Sequence, residues 1–395
     1  MKVNAIIFFI ILCSVHCFAQ APKTSDIVIG KKLQIKSVHL KAKREVLIYL
    51  PPSYGANNYT KYPVLYLLDG RKFFHSFTGA IAQLSSDASP QIPEMIVVGI
   101  TSQDRIRDSS PTNSLIGYNG KKDQALKISG GADNFLKFIK NELIPLIDKK
   151  YRTNTYRTFT GYSFTGLPVL HALFTMPQTF SSYLIIDFSA WWDQEVMLKN
   201  ARSFLKKYKD RNKDVFIATN DRVDNVVYPE KYNATWRFIQ AFEQNRPATI
   251  GLGFKKYPYK TENHHSMPLR AFMEGLKYIF RGYMINYDEM YSSPQKIATR
   301  FEALSHRLGY KICLPEGLLR FFGYQFLYAH PDLEKATFYF KHASQNYPQS
   351  DRVWVGLAKV YQAKNDKGNA TKCYQKALTL NPKNKEAQKQ LKALK

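Results

Sequence analysis

Gly161-Tyr162-Ser163-Phe164-Thr165-Gly166 sets a serine between a strand-like stretch, Tyr156 to Thr160, and a helical apolar pattern from Leu167 to Phe174. A serine on a sharp strand-to-helix turn presents its hydroxyl outward, and its neighbours two places either side need minimal side chains. Gly161 meets that need. Thr165 stands where a second glycine is expected, and Gly166 comes one place late. A serine hydroxyl is a poor nucleophile until a histidine takes its proton, and a carboxylate holds that histidine in the useful tautomer. Downstream, Asp221 lies just past the strand-like run Val215 to Thr219, after Asn220, with Asp224 as the reserve candidate. His264 and His265 come later, just before another helix. His171, within the helix after the serine, reads as a packing residue. The order serine, carboxylate, histidine at strand ends points to acyl transfer through an activated serine, which needs no cofactor. No CxxC, HExxH or carboxylate-rich calcium loop occurs, so no metal is expected.

The elements that must position these residues alternate. Val46 to Leu50 runs into Pro51-Pro52, Val64 to Leu68 stops at Asp69-Gly70, and Met95 to Ile100 and Val215 to Ala218 are further apolar runs. Continuous apolar runs bounded by turn residues suit strands buried on both faces. Helical patterns lie between them, notably Ala132 to Tyr151. Strands alternating with helices predict an α/β fold with a mostly parallel central sheet, here over residues 20–285.

The C-terminal part follows another rule. Ala336, Phe340, Ala343 and Pro348 recur 34 residues later as Ala370, Tyr374, Ala377 and Pro382. That period resembles the tetratricopeptide repeat, a helix-turn-helix unit. The reading is two units over 317–384, a capping helix over 385–395 and a helical connector over 286–316. Two units are fewer than usually stand alone, so their apolar edge must be covered by the preceding domain or by a partner.

At the start, Lys2, the apolar run Ala5 to Val15 and Cys17-Phe18-Ala19 have the shape of an export signal over 1–19, too short for a permanent membrane span. A periplasmic or secreted protein is expected. Cys313 and Cys373 would remain after its removal, as one disulfide or, by preference, as two packed thiols. The 57 Lys+Arg against 31 Asp+Glu give a net charge of +26, spread along the chain. A diffuse basic surface suits an anionic envelope component or acidic partner of the repeats, whereas nucleic acid is opposed by export and by the lack of a clustered basic-aromatic motif.

With these residues in view, the stretch from about Ser37 to Phe280 resembles the esterase family of α/β-hydrolases, which includes siderophore esterases, feruloyl esterases, S-formylglutathione hydrolases and mycolyltransferases. The resembling segments include Tyr49 to Tyr54, Tyr62 to Gly70, Asp104 to Asp108, Gly130-Gly131, Glu142 to Pro145, Ala190-Trp191-Trp192 and Glu262-Asn263-His264-His265-Ser266. The resemblance implies Ser163 as nucleophile, His264 as base with His265 in a variable place, and a carboxylate near Asp221. It also implies an oxyanion hole from the amides of Phe164 and Arg71, with Trp191 and Trp192 as pocket candidates. Besides Thr165, one departure stands out: Asp187-Phe188 replaces the usual Ser-Pro before the tryptophans. The expected activity is hydrolysis of a siderophore-like or carbohydrate-linked ester. The alternatives are an acyltransferase on the same site, or an impaired hydrolase that binds partners through its repeats.

Overall fold

A computed structural model describes residues 25–86, 90–209, 212–221, 229–258 and 260–394. The segment read as an export signal and Asp224 lie outside these residues. Among the described residues, eight strands form one sheet: β1 (Lys31–Ser37), β2 (Ala42–Tyr49), β3 (Tyr62–Leu67), β4 (Ile96–Ile100), β5 (Thr153–Tyr162), β6 (Ser182–Ile186), β7 (Lys213–Asp221) and β8 (Ile250–Pro258), in the order β1-β2-β4-β3-β5-β6-β7-β8. β1, β2 and β4 pair antiparallel, and every pairing from β4 through β3 to β8 is parallel. β3, β4 and β6 are buried along their whole length. Their unbroken apolar composition reflects helices on both faces of the sheet.

Alternate residues feed two cores. Leu65 and Leu67 face one, with helices Gly70–Leu84 and Pro268–Ile279, while Val64 and Tyr66 face the other, with helix Gly166–Thr175. The helical pattern Ala132 to Tyr151 forms helices Ala132–Phe138 and Ile144–Lys150, joined by a π-helical turn over Ile139–Leu143. Pro145 lies just beyond that turn and has no N–H to continue the ordinary ladder.

The C-terminal helices are not a separate body. After helices Tyr287–Ser292 and Pro294–Leu308, the helical hairpins 316–346 and 351–380 continue the first core without interruption. Tyr156 packs on Tyr310 at a 5.0 Å centroid separation, Tyr291 on Phe322 at 5.1 Å, and Phe322 on Tyr339 at 5.7 Å. The hydrolase-like domain and connector therefore cover the apolar edge of the repeats. Asp214, on buried β7, binds Arg281 at 2.8 Å and Arg307 of the connector at 2.5 Å. Glu316 accepts from Tyr59 at 2.7 Å and from Ser350 at 2.8 Å, which ties the two parts on another side. In the repeats, the ring of Phe340 fills the space a Cβ on Gly356 would need, 1.9 Å away, so the small residue permits the close helix approach. Cys313 and Cys373 are free thiols.

Candidate functional site

The parallel strands end on one edge, and their register fixes which residues meet there. β5 pairs Tyr162 with Ile186 of β6, and β6 pairs Ile186 with Ala218 of β7. Ser163 and Asp187 are each one residue beyond that line, so they emerge side by side. Ser163 has φ 57°, a left-handed conformation that costs a β-carbon residue of order 1–2 kcal/mol. The surrounding turn enforces it. A Cβ on Gly161 would sit 2.2 Å from the Thr165 carbonyl oxygen, and one on Gly166 would sit 2.5 Å from the Phe188 Cβ. The close approach expected at Thr165 is therefore made by Gly166, and the turn forms with threonine in place.

His264 arrives on the loop between β8 and helix Pro268–Ile279. Asn263 Oδ1 accepts from the amides of His265 and Ser266, and Ser266 Oγ donates to Glu262 at 2.7 Å, which closes the loop on itself. Tyr162 packs its ring, tilted by 30°, 4.7 Å from the His264 ring and donates its hydroxyl to the His264 carbonyl at 2.7 Å. In this position His264 Nε2 lies 3.1 Å from Ser163 Oγ. Its Nδ1 lies 2.5 Å from Asp187 Oδ2. An ionised carboxylate only accepts, so the ring proton sits on Nδ1 and Nε2 is left to accept from the serine. His265 is exposed, its ring edge-on to that of His264.

The carboxylate expected at Asp221 is thus supplied by Asp187, and the reason lies in strand length. Ala218 is level with the end of β6, and β7 runs three residues further, to Asp221 paired with Pro258. At about 3.3 Å per residue, that carries the Asp221 backbone roughly 10 Å past Ala218. What β7 supplies beside the site is its preceding pair. Thr219 Oγ1 donates to Asp187 Oδ1 at 2.8 Å and Asn220 Nδ2 donates to Asp187 Oδ2 at 3.1 Å. The Asp187 amide donates to the Ala218 carbonyl at 2.7 Å, and its φ of 42° turns the chain sharply out of β6.

The amides expected to form an oxyanion hole lie on adjoining turns. Phe164 follows Ser163 in the short turn Ser163–Thr165. Arg71 is in the first turn of helix Gly70–Leu84, where amides have no intrahelical acceptor. Of the two tryptophans, Trp192 is not a lining residue. It is fully buried, edge-on to Phe164 at 5.0 Å, with its indole N–H donated to Thr112 Oγ1 at 3.1 Å. Trp191 is partly exposed and meets Tyr118 at 5.3 Å. Around the serine, Lys72 lies 4.9 Å over the Tyr162 ring, Arg105 Nη2 donates to the Tyr162 carbonyl at 3.2 Å, and the Arg71 side chain is 73% exposed. His171 is buried and its Nε2 lies 2.7 Å from Asp133 Oδ1, a packing role away from the serine.

A serine, a histidine and a carboxylate in this relation are suited to nucleophilic acyl transfer. Sequence reasoning does not single out Asp187, because it assigns no strand to Ser182–Ile186. The signal was present: Tyr183-Leu184-Ile185-Ile186-Asp187 repeats the pattern of Val64 to Asp69, an apolar run closed by aspartate.

Comparison with known proteins gives the chain's relatives. The family model described as "Putative esterase" matches residues 37–241, and a tetratricopeptide repeat model matches residues 351–384. The structure of an IroE-like serine hydrolase from Shewanella oneidensis superposes with a TM-score of 0.72 at 30% identity, covering 80% of this chain and 99% of that one. The siderophore triacetylfusarinine C esterase of Aspergillus fumigatus is 31% identical over 160 residues, 37% of this chain and 51% of that protein. The ferri-bacillibactin esterase BesA of Bacillus subtilis is 30% identical over 166 residues, 40% of this chain and 57% of that protein. The chain spans about half the length of these curated relatives.

Proposed function

Because the chain belongs to the Putative esterase family, we propose that it is a carboxylic ester hydrolase that works through an acyl-enzyme on Ser163. The observation that carries the reading is the continuous line Ser163 Oγ, His264, Asp187, with contacts of 3.1 and 2.5 Å. His264 Nε2 takes the serine proton as Oγ attacks the ester carbonyl, and Asp187 stabilises the imidazolium. The amides of Phe164 and Arg71 receive the developing oxyanion, a contribution typically on the order of 10²–10³ in rate per donor. His264 then gives its proton to the leaving alcohol. A water activated by the same nitrogen releases the acid and restores Ser163.

The substrate we favour is a siderophore-type ester. The named relatives support this class, and the exposed Lys72 over the Tyr162 ring, with the partly exposed Trp191, suits an anionic, aromatic ligand, while Arg71 and Arg105 are paired with Glu45 and Asp69. We further propose that the protein is exported, on the signal-like segment 1–19, and that the repeats are a docking face for an acidic protein or envelope polymer. From Pro331 onward the chain carries 13 Lys+Arg and 5 Asp+Glu.

The test is hydrolysis of bacillibactin and triacetylfusarinine C, with a simple aryl ester as control, by wild type and Ser163→Ala. Wild type should release the monomers, and the variant should lose at least about 10⁴ in kcat while keeping its fold. If Ser163→Ala keeps more than about a tenth of the turnover, the assignment is wrong. Added alcohols should not divert the acyl group; diversion of most of it would make the enzyme an acyltransferase.

A further inference from the structure

The threonine that replaces glycine in the serine turn has a hydroxyl, and every hydrogen bond it makes joins parts of the site. Thr165 is fully buried. Its Oγ1 accepts from the Tyr162 amide at 3.0 Å, and it lies 3.0 Å from Asp69 Oδ2 and 2.9 Å from the Tyr162 carbonyl oxygen. One hydroxyl has one proton, and the carboxylate is the stronger acceptor. The Tyr162 carbonyl has its own donor in Arg105 Nη2 at 3.2 Å. Arg105 also grips Asp69, with Nε 3.0 Å from Oδ1 and Nη2 3.0 Å from Oδ2. The result is a closed ring: Tyr162 amide, Thr165 hydroxyl, Asp69 carboxylate, Arg105 guanidinium, Tyr162 carbonyl.

Position gives this ring its meaning. Asp69 stands two residues before Arg71 and itself adopts a left-handed φ of 52° at the start of helix Gly70–Leu84. Thr165 immediately follows Phe164. The two amides expected to bind the oxyanion belong to segments far apart in sequence, and the Thr165–Asp69 contact is a direct side-chain link between them. A glycine at position 165 could not make it, because it has no hydroxyl.

Resting on the esterase reading above, we propose that Thr165 is a positioning residue, whose hydroxyl clamps the serine turn to Asp69 and so sets the spacing of the oxyanion-binding amides. The group touches no substrate. It acts where charge develops in the transition state, so its loss should slow the chemical step and leave ground-state binding nearly unchanged.

The experiment compares Thr165→Ser, Thr165→Val and Thr165→Gly in the full chain on one aryl ester. Measured for each are kcat, KM, the melting temperature and inhibition by a trifluoromethyl ketone, whose adduct carries the oxyanion. Val keeps the volume and removes the hydroxyl; Gly restores the family residue and cannot clash. Both should lose about 10- to 100-fold in kcat and a similar factor in ketone affinity, with KM within about twofold. Ser should restore kcat to within about threefold of wild type, because it keeps the donor and acceptor. Should the Val variant fail to fold, the Gly and Ser variants decide the matter. Wild-type kcat and ketone affinity in Thr165→Gly, with only the melting temperature lowered, would overturn the proposal. The esterase reading is judged separately, by Ser163→Ala, whereas this series is scored relative to wild type.

Discussion

In the proposed mechanism His264 serves as a base only while its proton is held on Nδ1, and the residues that arrange this come from the ends of two strands. Asp187 accepts that proton, and Thr219 and Asn220 fix the carboxylate from the neighbouring strand end. Asp187→Asn should therefore drop kcat by about 10³–10⁴, because the amide supports the wrong tautomer. Asp221→Asn should leave kcat within about threefold. A larger loss from Asp221→Asn than from Asp187→Asn, on the same ester, would reverse the assignment. His265→Ala should cost far less than His264→Ala, which should match Ser163→Ala because parts of one catalytic unit are not additive. The serine and the histidine were legible in the sequence from turn chemistry and chain order. The acid was not, because Asp221 and Asp187 both follow apolar strands, and only the register between β6 and β7 shows which one is level with His264. Asp187-Phe188 reads as a departure from the family pattern, and Asp187 is the carboxylate that meets the His264 ring.

Among the elements, the serine turn shows how tightly a local motif is bound to its packing. A Cβ at position 161 would overlap the Thr165 carbonyl group, with atoms at 2.2 and 2.7 Å. Gly161→Ala must therefore push the turn off β5. It should destabilise the protein by about 3 kcal/mol and abolish ester turnover, as read by thermal melts and kinetics. Full activity in that variant would mean that the turn is looser than its contacts imply. The strands and helices are readable where their apolar runs are unbroken, and β6, five residues long like β4, carries the same signal in Tyr183 to Ile186. The 34-residue period was legible for a similar reason, since aromatic and small residues must face each other across every helix pair. The burial of Trp192 was not. An indole beside a catalytic motif looks like a pocket wall until Thr112 is seen to satisfy its N–H.

For the molecule as a whole, the repeats share the core of the catalytic domain, so they cannot be removed as an independent appendage. Truncation after Tyr287 would strip the cover from Tyr156 and Tyr283, which pack on Tyr310 and Phe301. It would also deprive Asp214 of Arg307. The truncated chain should be insoluble or melt well below the full chain, and the full chain should melt in one transition, as measured by calorimetry and size-exclusion chromatography. Two separated transitions, with the shorter chain intact and active, would show that the domains fold independently. The thiols report on the same packing. Burial raises Cys313 above the ordinary thiol range and pushes Cys373 up to about 11. Iodoacetamide at pH 8 should therefore modify both slowly in the native protein and rapidly after unfolding, since the thiolate is the reacting form. Fast native labelling of Cys373 would contradict the buried packing of helix Lys367–Leu380.

The acyl-enzyme itself is the most direct object to look for. The full chain is mixed with an aryl ester, quenched in acid within the first turnover, digested and mapped by mass spectrometry, alongside Ser163→Ala and Asp187→Asn. The acyl group should appear on the peptide bearing Ser163 in wild type, form much more slowly in Asp187→Asn and be missing from Ser163→Ala. An acyl group carried by any other residue, or ester turnover with no acylated Ser163 and no initial burst, would contradict the mechanism.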